Sequence, residues 1–225
     1  MTRPGPKGSA TREHILATAL KLFRKRGFEG TTMRDIAQAA DLSLGAAYHY
    51  FPSKEALVLA YYEWMQEEHE RLMEAAGDPG ADLRARVGTL LRTKLDLLHR
   101  DRKLLATLFG NLGDPAHSLS VFGEKSASVR QRSVKQFTEV FAPRDAPPPL
   151  RPFLGQALWL SHLGLFLFFI HDRSPQHART QKLLEAIVEL TASGVPLLTH
   201  PLAAPVRGWL LQLMTDLGAA REEKP

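Results

Sequence analysis

The chain has 225 residues, 44% of them hydrophobic and 24% charged, a balance typical of a folded protein and not of a disordered one. It contains no cysteine, which excludes disulfide frameworks, thiolate zinc sites and cysteine nucleophiles and fits a reducing cytoplasm. The formal net charge is +5, and residues 1–60 carry nine basic and five acidic side chains against 20 and 19 in the rest. A polyanion is therefore the expected partner of the first quarter of the chain, although a solvated basic surface fits the same distribution.

Neither a secretory leader nor a membrane span is expected. The basic, Pro- and Gly-rich residues 1–14 are not followed by the apolar segment that a secretory leader requires. The longest apolar stretch, residues 154–170, is short for a membrane span and is interrupted by Gln156, Ser161 and His162. This stretch predicts a buried core helix or an interface helix.

The first predicted element is an amphipathic helix that ends at Gly27. Apolar residues from Ile15 to Phe23 recur on one helical stripe. Gly27 is suited to the left-handed conformation that closes a helix, and Phe28 can fold back on the last turn.

Two short helices are predicted next. Thr32 with Asp35 three residues later forms a variant capping box, which marks the start of the second helix. Residues 41–42 form a turn, and Ser43 is a good N-cap for a third helix that runs to about Tyr50.

The rest of the chain also has the helical period, and no convincing strand pattern is visible. Ser174 and Pro175 are predicted as the N-cap and first residue of the penultimate helix, and residues 143–152 as a proline-rich loop. The predicted helices are 54–76, 81–100, 102–111, 117–141, 152–171, 175–193 and 206–218.

A helix followed by two short helices and a tight turn within residues 11–51 predicts a helix-turn-helix, whose last helix enters a DNA major groove. Gly45 and Ala46, on the first turn of that helix, would let the backbone approach the base edges. Thr31 or Thr32, with the N-terminus of the second helix, is a candidate for a further phosphate. Four residues that follow in the sequence are candidate hydrogen-bond donors to DNA phosphates: Tyr48, His49, Tyr50 and Lys54. Tyr48 and Tyr50 fit equally well as core aromatic residues with wet hydroxyls.

The runs TREHILATALKLFRKRGFEGTTMRDIAQAADLS and GAAYHYFPSKEAL, within residues 11–57, resemble the DNA-binding domain of TetR-type (tetracycline-repressor-like) bacterial transcription regulators. The resemblance implies an all-α fold with an N-terminal three-helix, helix-turn-helix DNA-binding domain and a larger helical domain for ligand binding and dimerisation. The implied boundaries are a flexible basic arm at 1–10, the DNA-binding domain at 11–52 and the regulatory domain at 53–225, whose residues 53–76 form a connecting helix. The implied function is a ligand-released repressor that binds a palindromic operator as a cytoplasmic homodimer; an activator or a ligand-independent regulator of the same fold is the alternative.

By position in that family, the resemblance also assigns roles to individual residues. It turns Leu44, Gly45 and Ala46 toward bases, and Thr32, Tyr48, His49, Tyr50 and Lys54 toward phosphates. Leu44 departs from the family, which often has a lysine or another polar residue there, so it offers only apolar contact, for example to a thymine methyl. Specificity is then expected to rest on groove shape, on Arg34, or on the arm that carries Arg3 and Lys7.

The resemblance places the dimer interface on two late helices, and the sequence suggests which faces form it. A narrow face of small residues would allow close helix approach, and a stripe on the following helix would complete a four-helix interface. The candidate interface residues are Ala157, Ser161, Gly164, Thr180, Leu183, Ile187 and Leu190. Both faces also fit an intramolecular core.

A small-molecule site lined by apolar side chains with a few polar groups is expected in the regulatory domain, which favours a hydrophobic ligand. Each candidate residue taken alone also fits a plain core. The candidates are Trp64, Phe109, Phe122, Phe137, Trp159, His162 and Phe166.

An enzyme is a weaker reading. The nine histidines, with His162, His171 and His177 nearest together, show no metal-binding spacing such as HExxH, and no GxSxG, P-loop or GxGxxG motif is present. No catalytic residue, metal or cofactor is therefore expected. A non-specific architectural DNA binder would need basic charge over the whole chain, whereas residues 61–225 are nearly neutral.

Overall fold

A computed structural model describes residues 6–78, 80–108 and 117–216, and all the regular secondary structure in those ranges is helical. Two structural units are formed: unit 1 comprises Met1–Glu68 and Leu97–Arg130, and unit 2 comprises His69–Asp96 and Gln131–Pro225. The α-helices of the described residues are α1 (Pro6–Arg26), α2 (Met33–Ala39), α3 (Leu44–Tyr50), α4 (Lys54–Ala75), α5 (Leu83–His99), α6 (Arg102–Leu108), α7 (Ala127–Glu139), α8 (Arg151–His171), α9 (Ala178–Thr199) and α10 (Ala204–Asp216). The predicted all-α class is confirmed.

Helix α1 begins earlier than predicted, so residues 6–10 are helical although they were assigned to a flexible arm. Proline is well suited to the first helical position, because its missing N–H would have no partner there and its φ is already helical. Arg3 lies outside the described residues, as does the side chain of Lys7.

The end of α1 has the predicted closing turn. Gly27 has φ +79° and its N–H bonds the Phe23 carbonyl at 2.9 Å. The Phe28 ring then lies 5.3 Å from the Phe23 ring, and both side chains are buried. Burial of an aromatic side chain contributes about 1.5–3 kcal/mol, so this contact anchors the loop that leads to α2.

The turn between α2 and α3 depends on Asp41, which has φ +56°. Aspartate tolerates the left-handed region better than most residues. Just after it, the N–H of Leu42 bonds the Ala37 carbonyl at 2.9 Å and closes the end of α2. Ile36 of α2 and Ala47 of α3 are fully buried, and the small side chain of Ala47 lets α3 pack closely against α2.

The helix predicted over 117–141 is shorter, because α7 starts at Ala127. In the segment before α7, backbone carbonyls accept hydrogen bonds from side chains and not from helical N–H groups. The Ser126 hydroxyl donates to the Ser120 carbonyl at 2.6 Å. Arg130 donates to the carbonyls of Val121 and Gly123 at 2.8 and 3.0 Å. Serine and arginine thus compete with helical hydrogen bonding in this segment.

Helix α8 is the central element of unit 2, with ten of its residues buried. It is long and apolar enough in composition to cross a membrane, yet 56% of its most apolar window is buried inside the protein, as in a core helix. At Gly155 a Cβ would lie 2.7 Å from the Thr138 Cα, so α7 and α8 can approach this closely only at a glycine.

Ser174 and Pro175 are the N-cap and first residue of a helical turn, as predicted, but that turn is a separate 3-10 helix and α9 itself starts three residues later, at Ala178. The carboxylate of the buried Asp172 accepts hydrogen bonds from the N–H of Ser174 at 2.8 Å and of Thr180 at 2.9 Å. These two hydrogen bonds bracket residues 175–177, which form a separate 3-10 turn before α9. Helix α9 also continues to Thr199, past the predicted end.

Unit 2 buries a histidine, His69, whose side chain is inaccessible. Its Nε2 lies 3.1 Å from the Leu90 carbonyl and its Nδ1 lies 2.8 Å from the amide of Gln136. Burial, helped by the nearby charge of Lys94, lowers the pKa of His69 to about 4. The neutral ring carries a single N–H, which donates either to the Leu90 carbonyl or to Oε1 of Gln136.

Acidification should therefore destabilise unit 2. Between pH 6.5 and 4 the unfolded chain binds a proton at His69 that the folded chain does not, so stability falls as pH falls, by at most about 3 kcal/mol. Urea unfolding measured from pH 7 to pH 4 should show this loss, and His69→Gln should reduce it. His14→Gln, at an exposed position on α1, is the matched control and should keep the wild-type slope. Equal slopes for His69→Gln and wild type would contradict this account.

Candidate nucleic-acid interface

Helix α3 presents polar side chains outward from unit 1. The Ser43 hydroxyl accepts from the Ala46 N–H at 3.1 Å and caps the helix, as predicted. Ala47 is fully buried and fixes the inner face. The opposite face carries Tyr48, with 47% of its side chain exposed, and the exposed His49. This is the orientation that a helix reading DNA requires.

The first turn of α3 is open. Gly45 is exposed, and a Cβ built on it would meet no atom within 4 Å. Its φ is not in the left-handed region, so the backbone itself does not require a glycine here. A glycine inside a helix lowers stability by about 0.5–1 kcal/mol relative to alanine. No neighbouring atom of the chain requires a glycine at position 45, so packing within the subunit does not explain it.

Tyr50 and Lys54, both predicted to contact DNA phosphates, already make contacts within the protein. Tyr50 is half-buried, with the His49 ring edge-on at 5.3 Å. The Lys54 ammonium donates to the Phe28 carbonyl at 2.7 Å and lies 4.4 Å from the centre of the Phe28 ring. Lys54 thus links α4 to the turn after α1. A DNA phosphate could accept only from the ammonium N–H groups that do not donate to Phe28.

The threonine predictions need a correction. Thr31 is inaccessible, and its hydroxyl donates to the Gly27 carbonyl at 2.8 Å, so it cannot reach a phosphate. Thr32 is exposed and forms the predicted capping box with Asp35. The Asp35 carboxylate, whose pKa is lowered by hydrogen bonds from the Thr32 hydroxyl and N–H, already occupies the N-terminus of α2. A second anion at the same N–H groups would be repelled.

An open groove runs beside the α2–α3 turn. Its lining includes Arg34, Gln38, Ser43 and Leu44. Arg34 and Gln38 are exposed one helical turn apart on α2, next to the apolar Leu44 of α3. Gln38 was absent from the sequence-based predictions, although an exposed amide four residues after Arg34 could have drawn attention to it. Its amide can donate and accept at base edges.

The residues predicted to line a ligand pocket are divided between the units. Phe137, Trp159, His162 and Phe166 are buried in unit 2. Trp64 and Phe122 belong to unit 1, where they are 44% and 39% exposed, so they do not line an enclosed cavity of that unit. Phe109 lies outside the described residues.

The predicted dimer residues fall on two exposed stripes of unit 2. On α8, Ser161 and Gly164 are exposed beside Leu160, Leu167 and Phe168, which are 39–47% exposed. Ala157 is half-buried on the same helix.

The second stripe is on α9, where the half-buried Leu183 and Ile187 lead to Leu190 and Leu197, which are 75% and 70% exposed. Thr180 is the exception, since it is fully buried and its hydroxyl donates to Asp172 at 2.7 Å. Thr180 therefore belongs to the fold of the subunit and not to its surface.

Comparison with known proteins decides the family. Residues 15–61 match the family described as "Bacterial regulatory proteins, tetR family", and residues 86–204 match "Tetracyclin repressor-like, C-terminal domain". The chain belongs to the tetR family. The two matches cover both the helix-turn-helix and the C-terminal helices of this tetR-family protein, and the family is one of regulators, in agreement with the expectation that the chain is not an enzyme.

The relatives of this tetR-family protein are transcriptional regulators. The HTH-type transcriptional repressor NemR of Escherichia coli is 38% identical over 78 residues, 34% of this chain and 39% of NemR. Matched segments span only 18–46% of the length of three such curated relatives.

Solved structures show the same fold. A TetR transcriptional regulator from Nitrosomonas europaea has a TM-score of 0.63 at 22% identity over 80% of this chain and 97% of that one. The regulator FadR of Bacillus subtilis, solved with stearoyl-CoA, has a TM-score of 0.62 at 17% identity over 81% of this chain and 98% of that one.

Within residues 6–78, 80–108 and 117–216, no group of three His, Asp or Glu side chains is placed to hold a metal ion.

Proposed function

We propose that this tetR-family chain is a sequence-specific DNA-binding repressor that acts as a homodimer on a palindromic operator and is released by a small ligand. The observation that carries the proposal is the outward face of α3, where the open Gly45 is followed by the exposed Tyr48 and His49. Backbone without side-chain bulk suits close approach to base edges, and hydroxyl and imidazole donors suit the phosphates beside them.

The proposed base-facing residues are Leu44, Gly45 and Ala46, with Arg34 and Gln38 lining the groove beside them. The proposed phosphate contacts are Tyr48, His49, Tyr50 and Lys54; Thr32 is left out because its hydroxyl and its N–H both donate to Asp35. The excess of positive charge in residues 1–60 supports the electrostatic part of binding, because cationic side chains that neutralise phosphates release counterions. Binding is therefore expected to weaken steeply as salt rises.

A homodimer follows from the need to reach two half-sites. Two copies of α3 placed about 34–36 Å apart would enter successive major grooves of a palindrome. The apolar stripes of α8 and α9 support pairing of two copies about a two-fold axis, since such an interface places the same patch on both subunits. Exposed leucines at Leu160, Leu190 and Leu197 would be buried by a second copy.

Leu190→Glu should break this dimer. The side chain is 75% exposed in the subunit, so the change should cost the subunit little stability, whereas in the dimer it would bury a carboxylate without a partner. We expect the dimer dissociation constant to rise about 100-fold or more and palindrome affinity to fall with it. Sedimentation equilibrium measures the first and fluorescence anisotropy the second. Leu202→Glu, at a position 86% exposed outside the stripes, is the control and should stay dimeric; a dimeric Leu190→Glu protein would place the interface elsewhere.

The names of two similar proteins support repression and ligand release as the proposed mode of action, in preference to activation. NemR is described as a repressor, and FadR was solved with a bound acyl-CoA. In this proposal the ligand binds the regulatory domain and lowers DNA affinity because it prefers the conformation that cannot engage both half-sites. A hydrophobic ligand is expected from the aromatic residues of unit 2.

The experiment that tests the proposal is selection of random DNA by the purified full-length protein, followed by sequencing. The expected result is a palindromic consensus, and affinity for it should fall about 100-fold or more between 50 mM and 200 mM salt. Selected DNA without a consensus would favour a non-specific architectural binder. Insertion of the consensus into a reporter promoter then separates repression from activation.

A further inference from the structure

Unit 2 contains a buried group of basic side chains that the DNA-binding role does not use. Lys94 is 7% exposed, His162 is 7% exposed and His69 is inaccessible. They come from three helices, α5, α8 and α4. His69 contacts the Leu90 carbonyl of α5, and Lys94 lies one helical turn after Leu90, close enough for its charge to lower the pKa of His69.

His162 joins this basic cluster from α8. Its ring lies 5.0 Å from the Phe137 ring, and Phe137 follows Gln136, the amide partner of His69. Among the described residues, neither ring nitrogen of His162 has a hydrogen-bond partner of normal geometry. A buried polar group left in this state costs about 1–3 kcal/mol, which a ligand that accepts a hydrogen bond would recover.

Lys94 supplies the positive charge of the basic cluster. The carboxylate of Glu70 on α4 lies near it and also accepts hydrogen bonds from Nε and Nη2 of Arg132 on α7. Burial lowers the pKa of Lys94 to about 8, so the ammonium is mostly charged at neutral pH, whereas burial and the Lys94 charge keep both histidines neutral. A carboxylate placed beside this buried ammonium would form an ion pair with it.

The surroundings of His162 are apolar. Trp159 and Phe166 lie three residues before and four after it on the same face of α8, and both are buried, as is Phe137. Such walls suit the body of an organic molecule and not a free, strongly hydrated anion.

We propose that Lys94, His162 and His69 form a binding site for the head of an amphipathic carboxylate, whose apolar body packs against Phe137, Trp159 and Phe166. This site rests on the proposed ligand response and names the chemical class of its ligand. The carboxylate accepts from the Lys94 ammonium and from a ring N–H of His162. Entry requires these buried helices to part, so ligand binding changes the packing of α4, the helix that carries His69.

The test is thermal unfolding of the full-length protein with octanoate, octanol and inorganic phosphate as separate probes. Octanoate at about ten times its Kd should raise Tm by about 3–5 °C, whereas octanol and phosphate should leave Tm within about 1 °C. The octanoate shift should shrink above pH 8, where Lys94 loses its proton. Octanoate should also raise the pKa of His162 in a nuclear magnetic resonance titration.

Two variants separate the site from a general fatty-acid effect. Lys94→Met keeps the length of the side chain, removes the charge and should abolish the octanoate shift. Lys135→Met, the same change at a side chain 77% exposed on α7, is the matched control and should keep it. His162→Phe retains ring volume against Phe137 and should weaken octanoate about tenfold, which keeps the test decisive if Lys94→Met fails to fold.

The proposal is overturned if octanol or phosphate matches octanoate, if no probe shifts Tm, or if Lys94→Met responds as wild type does. DNA affinity without octanoate is measured on the same samples. A protein with normal DNA affinity and no response to octanoate contradicts this site and leaves the proposed regulator intact. A Lys94-dependent octanoate response without DNA binding supports the site and contradicts the regulator.

Discussion

Gly45→Asp should abolish operator binding without harm to the fold. A Cβ at this position meets no atom within 4 Å, and an acidic side chain in the first turn of a helix is favoured by the helix dipole. Against DNA the same carboxylate would face phosphates and base edges, and like charges brought together cost several kcal/mol. We therefore expect unfolding free energy to stay constant or rise by a few tenths of a kcal/mol, while DNA affinity falls about 100-fold or more.

The measurement is fluorescence anisotropy with the selected operator, beside urea unfolding of the same samples. Gly208→Asp is the matched control, since Gly208 is also exposed in a helix with no atom within 4 Å of a Cβ but lies on α10. It should bind the operator as wild type does. Gly45→Ala adds a milder step, with stability higher by about 0.5–1 kcal/mol and operator affinity lower. Wild-type affinity in Gly45→Asp would remove α3 from the interface.

Arg24→Met should produce the largest loss of stability among the substitutions considered. Arg24 donates to both carboxylate oxygens of Asp101 through Nε and Nη2, and the Tyr61 hydroxyl donates to Asp101 at 2.6 Å. The Asp101 side chain is only 3% exposed, so removal of the guanidinium leaves a buried carboxylate with one strong donor. Breaking a buried ion pair from one side costs about 3–5 kcal/mol.

A double-mutant cycle with Asp101→Asn measures the pair itself. The double variant should be less destabilised than the sum of the two single variants, by at least about 1 kcal/mol. Arg132→Met is a matched control, because Arg132 and Arg24 are both 41% exposed but its partner Glu70 is 32% exposed. It should cost less than about 1 kcal/mol. Equal losses for the two arginine variants would show that burial of Asp101 does not set the cost.

Local sequence signals predicted the parts of the fold that depend on near neighbours. Gly27 closing α1, the Thr32–Asp35 capping box and Ser43 capping α3 each involve residues three or four positions apart. The apolar spacing around Ile36 and Ala47 also sets the inner faces of α2 and α3. These features locate the helix-turn-helix without knowledge of the rest of the chain.

Features set by distant or competing contacts were not predicted. Nothing local shows that Lys54 bonds the carbonyl of Phe28, 26 residues away, or that Thr31 is buried. The start of α9 was placed three residues early because Asp172, a residue outside the predicted cap, also reaches forward and accepts from the Thr180 N–H, beside the bond from the Arg179 N–H to the Ser174 hydroxyl. In the candidate ligand site, the sequence supplied His162 and its aromatic neighbours, whereas His69 and Lys94 join them only through the packing of separate helices.

The central claim is that α3 reads bases, and comparison of DNA selected by wild type and by Leu44→Lys tests it most directly. Leu44 is half-buried at the start of α3 beside Gly45, where leucine offers only apolar contact to a base and lysine can donate to guanine. We predict an altered base preference at one position in each half-site, with the half-site spacing unchanged. Tyr48→Phe, which removes one hydroxyl, should lower affinity for all sequences about equally and select the wild-type consensus. The same consensus for wild type and Leu44→Lys would contradict the placement of α3 in the major groove.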